Sequence, residues 1–169
     1  KGIIDVAQPV THYLPELDDT AYRGATLQHL LDMRSGVTFD ETYTDPCSDI
    51  GQLDVAAGWK PAPPGTDPAF RWPRHVFEQV LGLGKLECRH GDRFSYRSIE
   101  TEVIGFCMER ATGKRLYDIV SEHLWQPMGA EQDADAAVDR AGTVIHDGGI
   151  AATLRDLGRF GQLLLDGGR

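Results

Sequence analysis

Apolar residues recur at helical spacing in five stretches of the chain. From Thr26 to Ser35, Leu27, Leu30 and Leu31 fall at i, i+3 and i+4, with Thr26 at the capping position and Gly36 closing the run. Pro73 opens a second stretch, suited to a first helical position because it lacks an amide proton, and Val76, Phe77, Val80 and Leu81 share one face behind it. The third is the longest: Ser98 caps it, Ile99, Val103, Phe106 and Cys107 form its stripe, and Gly113 ends it after Thr112. A fourth runs from Arg115 to Trp125 through Leu116, Ile119, Val120, His123 and Leu124, closed by Pro127 and Gly129. Thr153, with Asp156 three residues on as a partial capping box, begins the last, which reaches Leu165.

Between these helices the periodicity fails. Residues 2–17 read as a connecting segment, because Pro9 and Pro15 each lack an amide donor and restrict the residue before them. Residues 37–70 read as a loop, with Pro46, the run Pro61-Ala62-Pro63-Pro64-Gly65 and Pro68. A loop of that length in a compact domain is expected to form a site or to lie against something else. Residues 82–95 read as glycine-punctuated turns with a short extended piece at Arg93-Phe94-Ser95, residues 131–140 as a loop or marginal helix, and residues 143–150 as a turn around His146-Asp147-Gly148-Gly149. The expectation is a mainly α chain with little strand, forming one segment over 1–169, with no internal repeat and no low-complexity stretch.

Charge narrows the partners. The chain carries 17 basic against 26 acidic side chains, a formal net charge of −9, which repels phosphate backbones and anionic lipid surfaces. Nucleic acid and membrane are therefore set aside as partners, and no apolar run approaches the roughly 20 residues of a membrane helix. Cys47, Cys88 and Cys107 are odd in number and far apart, and read as reduced structural thiols. The six histidines form no H-x-x-x-H pair, so neither a metal site nor a cofactor is expected. The chain opens at Lys1-Gly2 and stops at Gly167-Gly168-Arg169, and both ends read as cut from a longer protein.

Common catalytic signatures are missing. The sequence holds no G-x-S-x-G elbow, no phosphate loop and no G-x-G-x-x-G, and none of its serines has a lysine three residues on. Glu100, Glu102 and Glu109 read as the solvated face of the third helix. The informative stretch is Phe94-Ser95-Tyr96-Arg97-Ser98, a tyrosine in a turn just before a helix N-terminus, whose partial positive charge favours a phenolate. From these residues alone two readings of Tyr96 stand: a packing side chain, or a proton-transfer group that needs a nearby ammonium to work at neutral pH.

Read together, the segments resemble in order the serine β-lactamase and penicillin-binding-protein superfamily, on its class C β-lactamase and esterase side. Residues 1–17 are similar to its G-x-I-D…P-V-x-x-Y-L-P-E-L phrase, residues 26–36 (TLQHLLDMRSG) to T-x-x-x-L-L-x-M-x-S-G, and Tyr96-Arg97-Ser98 to Y-x-N or Y-x-S. Residues 103–129 resemble I-G-x-x-x-E-x-x-T-G…P-x-G, and residues 148–161 resemble G-G-x-x-x-T-x-x-D-L-x-R-F-G. Ala7-Gln8-Pro9-Val10-Thr11, Tyr43-Thr44-Asp45-Pro46, Ala57-Gly58-Trp59 and Leu164-Leu165-Asp166-Gly167-Gly168 resemble the aminohexanoate-dimer (nylon-oligomer) hydrolases most.

The resemblance implies the helical lobe of an α/β β-lactamase-like (penicillin-recognising serine hydrolase) fold, with the sheet lobe largely missing. It implies cleavage of a small-molecule amide or ester through a serine acyl-enzyme, Tyr96 being the tyrosine that moves the proton and Ser98 the second polar position, bonded to substrate or to the lysine. It implies substrate-binding places for Tyr43, closing over the substrate; for Asp54, meeting an ammonium; for Trp59, packing behind that loop; and for Asp147, beside the Gly-Gly turn. Bland readings stand beside these: loop anchors for Tyr43 and Trp59, a solvated Asp54 and a turn-forming Asp147.

The departures are equally plain. The S-x-x-K nucleophile motif is absent, Lys1 matches only the basic residue before G-x-I-D, and K-T-G or H-x-G is expected beyond Arg169, since His146-Asp147-Gly148 fits by letters alone. The 169-residue chain is thus expected to be inactive by itself and to self-associate through apolar surface left bare. The alternative is a non-catalytic helical binding module or an inactive family member.

Overall fold

The stripe of Ile99, Val103, Phe106 and Cys107 forms the long helix it predicts, α5 (Ser98–Thr112), which ends at Gly113 in a left-handed conformation. In the computed structural model, which describes residues 2–168, α5 is the central element. Packed on it are α1 (Val10–Tyr13), α2 (Leu27–Leu31), α3 (Asp49–Ala56), α4 (Val76–Gly82) and α6 (Leu116–Val120). A 3-10 turn, Pro15–Asp19, follows α1, and α6 runs on as a π-helical turn over Ser121–Trp125. The strands β1 (Asp135–Ala136) and β2 (Ile150–Ala151) pair antiparallel, Asp135 opposite Ala151, and α7 (Leu154–Leu165) closes the chain. The chain is helix-dominated, as its periodicity predicts. Lys1 and its alignment lie outside the described residues.

One apolar core joins α1 to α5, in which Val10, Leu14, Leu17, Tyr22, Leu27, Leu30 and Val37 cluster with Ile50, Leu53, Val76, Val80, Ile99 and Val103. Fully burying each of these aliphatic side chains contributes roughly 1.5–3 kcal/mol relative to exposure.

Several local expectations are corrected. Residues 37–70 are not all loop: Ser48 caps α3 by accepting the Gly51 amide at 3.1 Å, and Ile50, Leu53 and Ala56 bury its inner face. The helix ends in a Schellman arrangement, Gly58 at φ +81° donating to Val55 and Trp59 donating to Asp54 at 2.9 Å. The second helix starts at Val76, with the His75 side chain accepting the Glu78 amide, rather than at Pro73. The first ends sooner than expected, at Leu31, because Met33 turns left-handed (φ 52°) and sends its carbonyl to the Ser95 amide. Residues 93–95 form no strand, residues 131–140 contain β1, and the connecting segment 2–17 contains α1 and a 3-10 turn.

The most consequential correction concerns charge. Glu100 and Glu102 are fully buried, and Glu109 is partly buried, so they are not a solvated face. Each has partners that the helix pattern does not disclose.

Candidate active site

The turn before α5 is fixed from below. Arg97, itself buried, donates to the Ser95 carbonyl at 2.9 Å and to Glu100 at 3.3 Å, and pairs with Glu87. Glu100 also accepts from the Ser35 hydroxyl. Burial pushes the Glu100 carboxyl up to about 7 against the pull of Ser35 and Arg97. This network leaves Tyr96 projecting from the turn, 56% exposed, while Ser98 is only 3% exposed.

Ser98 is the first residue of α5 rather than its cap, and Arg97 at the cap position gives no side-chain cap bond. The cap comes from elsewhere in the chain. Glu41 accepts the Ser98 amide at 2.5 Å with one carboxylate oxygen and the Ser98 hydroxyl at 3.2 Å with the other. The loop that delivers it is pinned to α3: Asp49 accepts the Asp40 amide at 2.8 Å, and the Ile50 amide donates back to the Asp40 carbonyl at 3.0 Å. Two residues after Glu41, Tyr43 is exposed. Hydrogen bonding to Ser98 pulls the Tyr43 pKa down; hydrogen bonding to Glu41, burial and the charges of Glu41 and Tyr96 outweigh it, and the net shift is upward. The Tyr43 loop thus reaches, through Glu41, the end of α5 that carries Ser98, two residues after Tyr96.

The 146–149 turn approaches from the other side, anchored by Glu102. That carboxylate accepts the His146 amide at 2.8 Å and the Asp147 amide at 3.0 Å. His146 Nδ1 lies 3.0 Å from the Glu102 carbonyl and 3.1 Å from its carboxylate, both acceptors, so Nδ1 carries the proton. Its ring lies edge-on to Phe106, and Nε2 is buried without a partner. Asp147 is half-buried with one oxygen unpartnered. Burial first, then the Glu102 and Glu41 charges, push its carboxyl up to about 7. Its carboxyl is thus held in a desolvated, negatively charged surround.

Trp59 packs on this turn. A Cβ at Gly149, which holds φ +75°, would lie 3.2 Å from its ring, and one at Gly148 would lie 3.7 Å away. Asp54 is reached through Lys60, which lines a small pocket together with Tyr43. It sits on α3 with its side chain 13% exposed, bonded to Lys60 at 2.5 Å, so the solvated reading is corrected as well. Glu41 and Lys60 went unread in the sequence, while Glu102 was read as a solvated charge and His146 only as part of a turn. No motif marks Glu41, and Glu102 shows only as a charge four residues after Ser98 on the helix.

Residues 1–169 match the Beta-lactamase family along their whole length. The chain belongs to the β-lactamase family. Within reach of this family member, a 6-aminohexanoate-dimer hydrolase of Paenarthrobacter ureafaciens is 38% identical over 172 residues, covering 99% of this chain and 41% of that protein. A Bacillus anthracis structure named as a 6-aminohexanoate-dimer hydrolase superposes with a TM-score of 0.85 at 32% identity, over 99% of this chain and 42% of the other. A class C β-lactamase superposes at 0.61 with 16% identity, over 99% and 45%, which shows the shared β-lactamase fold alone. The chain spans about two-fifths of the length of the two hydrolases it matches.

Proposed function

We propose that this chain is the helical lobe of a longer serine hydrolase that cleaves small-molecule amide or ester bonds through an acyl-enzyme. The observation that carries the reading is that Glu41, two residues before Tyr43, caps α5 at Ser98, two residues after Tyr96, in a chain that matches the β-lactamase family throughout. The chain has no serine with a lysine three residues on, so the attacking hydroxyl and its lysine would come from another part of the longer protein. The serine oxygen would bond to the substrate carbonyl carbon while its proton passes through Tyr96 to the leaving nitrogen or oxygen. Water would then release the acyl group along the reverse proton path.

In this reading Ser98 is the second polar contact, and Tyr43 closes over the bound substrate. Trp59 backs the Gly148-Gly149 turn, Asp147 lines the far wall, and Asp54 meets a substrate ammonium only when Lys60 swings away. The 6-aminohexanoate-dimer hydrolases among the relatives favour a linear amide as substrate. The 169-residue chain alone, lacking the attacking serine, would be inactive.

The test is fluorophosphonate labelling of the longest natural protein that carries this chain. Labelling at an upstream S-x-x-K serine is expected, slowed by about 10²–10⁴-fold in Tyr96→Phe, as for loss of a general acid–base. A protein that takes no label would overturn catalysis and leave a helical binding module or an inactive family member.

A further inference from the structure

We infer that Lys60 sets the charge preference of the pocket beside Tyr43, presenting an ammonium there that selects a linear substrate ending in a carboxylate. The inference rests on the hydrolase reading above and adds to it which substrate end this lobe receives. Helix α3 supplies the starting point. Asp54 lies on it with a side chain only 13% exposed, and the turn that ends the helix brings Lys60 back over that carboxylate. The Trp59 amide donates to the Asp54 carbonyl at 2.9 Å and the Lys60 amide to the same carbonyl at 3.2 Å, so the backbone keeps residue 60 beside residue 54. Lys60 Nζ then reaches the Asp54 carboxylate at 2.5 Å.

An ammonium has three protons to donate and no lone pair to receive. One faces Asp54, and the Lys60 side chain is 61% exposed, so the others are open to a second acceptor. The pocket they face holds about 110 Å³, room for the end of a chain rather than a whole substrate, and Tyr43, Pro46, Val55, Pro61 and Pro63 share its lining. Among the described residues Lys60 is the one ionic group of that lining, and Asp54 stays behind it. Tyr43 ties the pocket to the end of α5, since its hydroxyl shares hydrogen bonds with Glu41 and Ser98. A carboxylate entering here gains the Lys60 ammonium without displacing Asp54. A substrate ammonium meets a like charge first, and to reach Asp54 it has to break the existing pair and strip Lys60 of its counter-ion. An uncharged end meets only the apolar walls. Because an end group takes no part in the bond change, it is held alike in the bound substrate and the transition state, and the discrimination falls on KM rather than kcat.

In the full protein, kcat and KM are measured for linear amides of one length whose far end is a carboxylate, a methyl or an ammonium, varied on the acyl side and then on the amine side. On one of the two sides the order carboxylate, methyl, ammonium is expected. There kcat/KM for the first stands about tenfold or more above the last, as for one charge-assisted hydrogen bond, and the gap narrows at high salt. Lys60→Ala bares Asp54 and should reverse that order. Asp54→Asn removes the carboxylate behind the ammonium and should widen the preference for a carboxylate end. Equal values for the three ends, a wild-type preference for the ammonium, or an order that Lys60→Ala leaves unchanged overturns the inference. Should Lys60→Ala fail to fold, Asp54→Asn decides, and a preference unchanged there overturns it too. A wild-type protein that hydrolyses none of the amides and takes no fluorophosphonate label would bring down the hydrolase reading itself, with this inference, so the two failures are distinguishable.

Discussion

Glu100 stands at the bottom of the site with no exposure to solvent, one oxygen shared by Ser35 and Arg97 and the other without a partner. Desolvation opposes its charge more than those partners favour it, so its folded pKa rises from 4.5 to about 7. Between those two values the folded state binds more protons than the unfolded one. Stability contributed by this group is therefore present at low pH, falls as pH rises through that window and is fully lost above it. The loss is on the order of 3 kcal/mol. Asp147, raised to about 7 mainly by burial, acts in the same direction. The expected outcome is a melting temperature higher at pH 6 than at pH 8, with Glu100→Gln reducing the difference but not abolishing it, since Asp147 still titrates. A slope identical in wild type and variant would show that Glu100 is ionised in the fold. Family resemblance singled out Tyr96 and Ser98 as candidates, but not this carboxyl, because a helix pattern records spacing and not which face meets a buried arginine.

At the scale of elements, α5 and the 146–149 turn are bound through one close approach. Gly105 is mid-helix, where alanine would be favoured by about 1 kcal/mol on propensity. A Cβ there would overlap the His146 ring, and that ring is held by Glu102 and cannot retreat freely. Overpacking of this kind costs about 1–3 kcal/mol, so packing outweighs propensity and Gly105→Ala should lower the melting temperature in a calorimetric scan. A rise instead would mean that the turn yields easily and that Asp147 is loosely placed. The same elements show how far the sequence could be read. The helices of the Ile99–Cys107 stripe and of the Thr153 cap form where the periodicity puts them, since each has a cap and a long apolar or amphipathic face. Helix α3 escaped notice although Ser48, Ile50 and Leu53 were there to be seen, because Gly51 counts against a helix. That glycine is required for a reason outside the helix: a Cβ on it would collide with the Pro46 carbonyl. Glu41 could not have been found by spacing, since it lies 57 residues from the amide it caps.

Across the whole molecule, α7 departs from the rule that a surface helix turns its apolar face inward. Only Asp156 on it is buried, and the helix is held by polar contacts: Asp156 accepts the Glu131 amide at 2.8 Å and the Gln132 amide at 3.3 Å, and Arg159 pairs with Glu131 and Asp156. Four of its five leucines are left out, Leu154 at 85% and Leu165 at 83% exposed, with Leu157 and Leu164 also exposed, while Leu163 is half-buried. A groove of about 340 Å³ runs between this helix and the segment of Leu124 and Met128. In the reading proposed above, the sheet lobe of the longer protein covers this face. The isolated 169-residue chain has no such cover, and contiguous apolar surface of this kind drives association. Its net charge of −9 opposes that association only weakly at physiological salt, where the Debye length is about 8 Å. Sedimentation velocity on the isolated chain should therefore show mass increasing with concentration, and more so at high salt. Leu157→Asp with Leu164→Lys should return it toward monomer, because both changes place charge in the middle of the bare stripe. In the longer protein the same pair should instead lower the melting temperature, since the charges would then be buried. A chain that stays monomeric in both salts, and a longer protein indifferent to the substitutions, would show that α7 faces water in both.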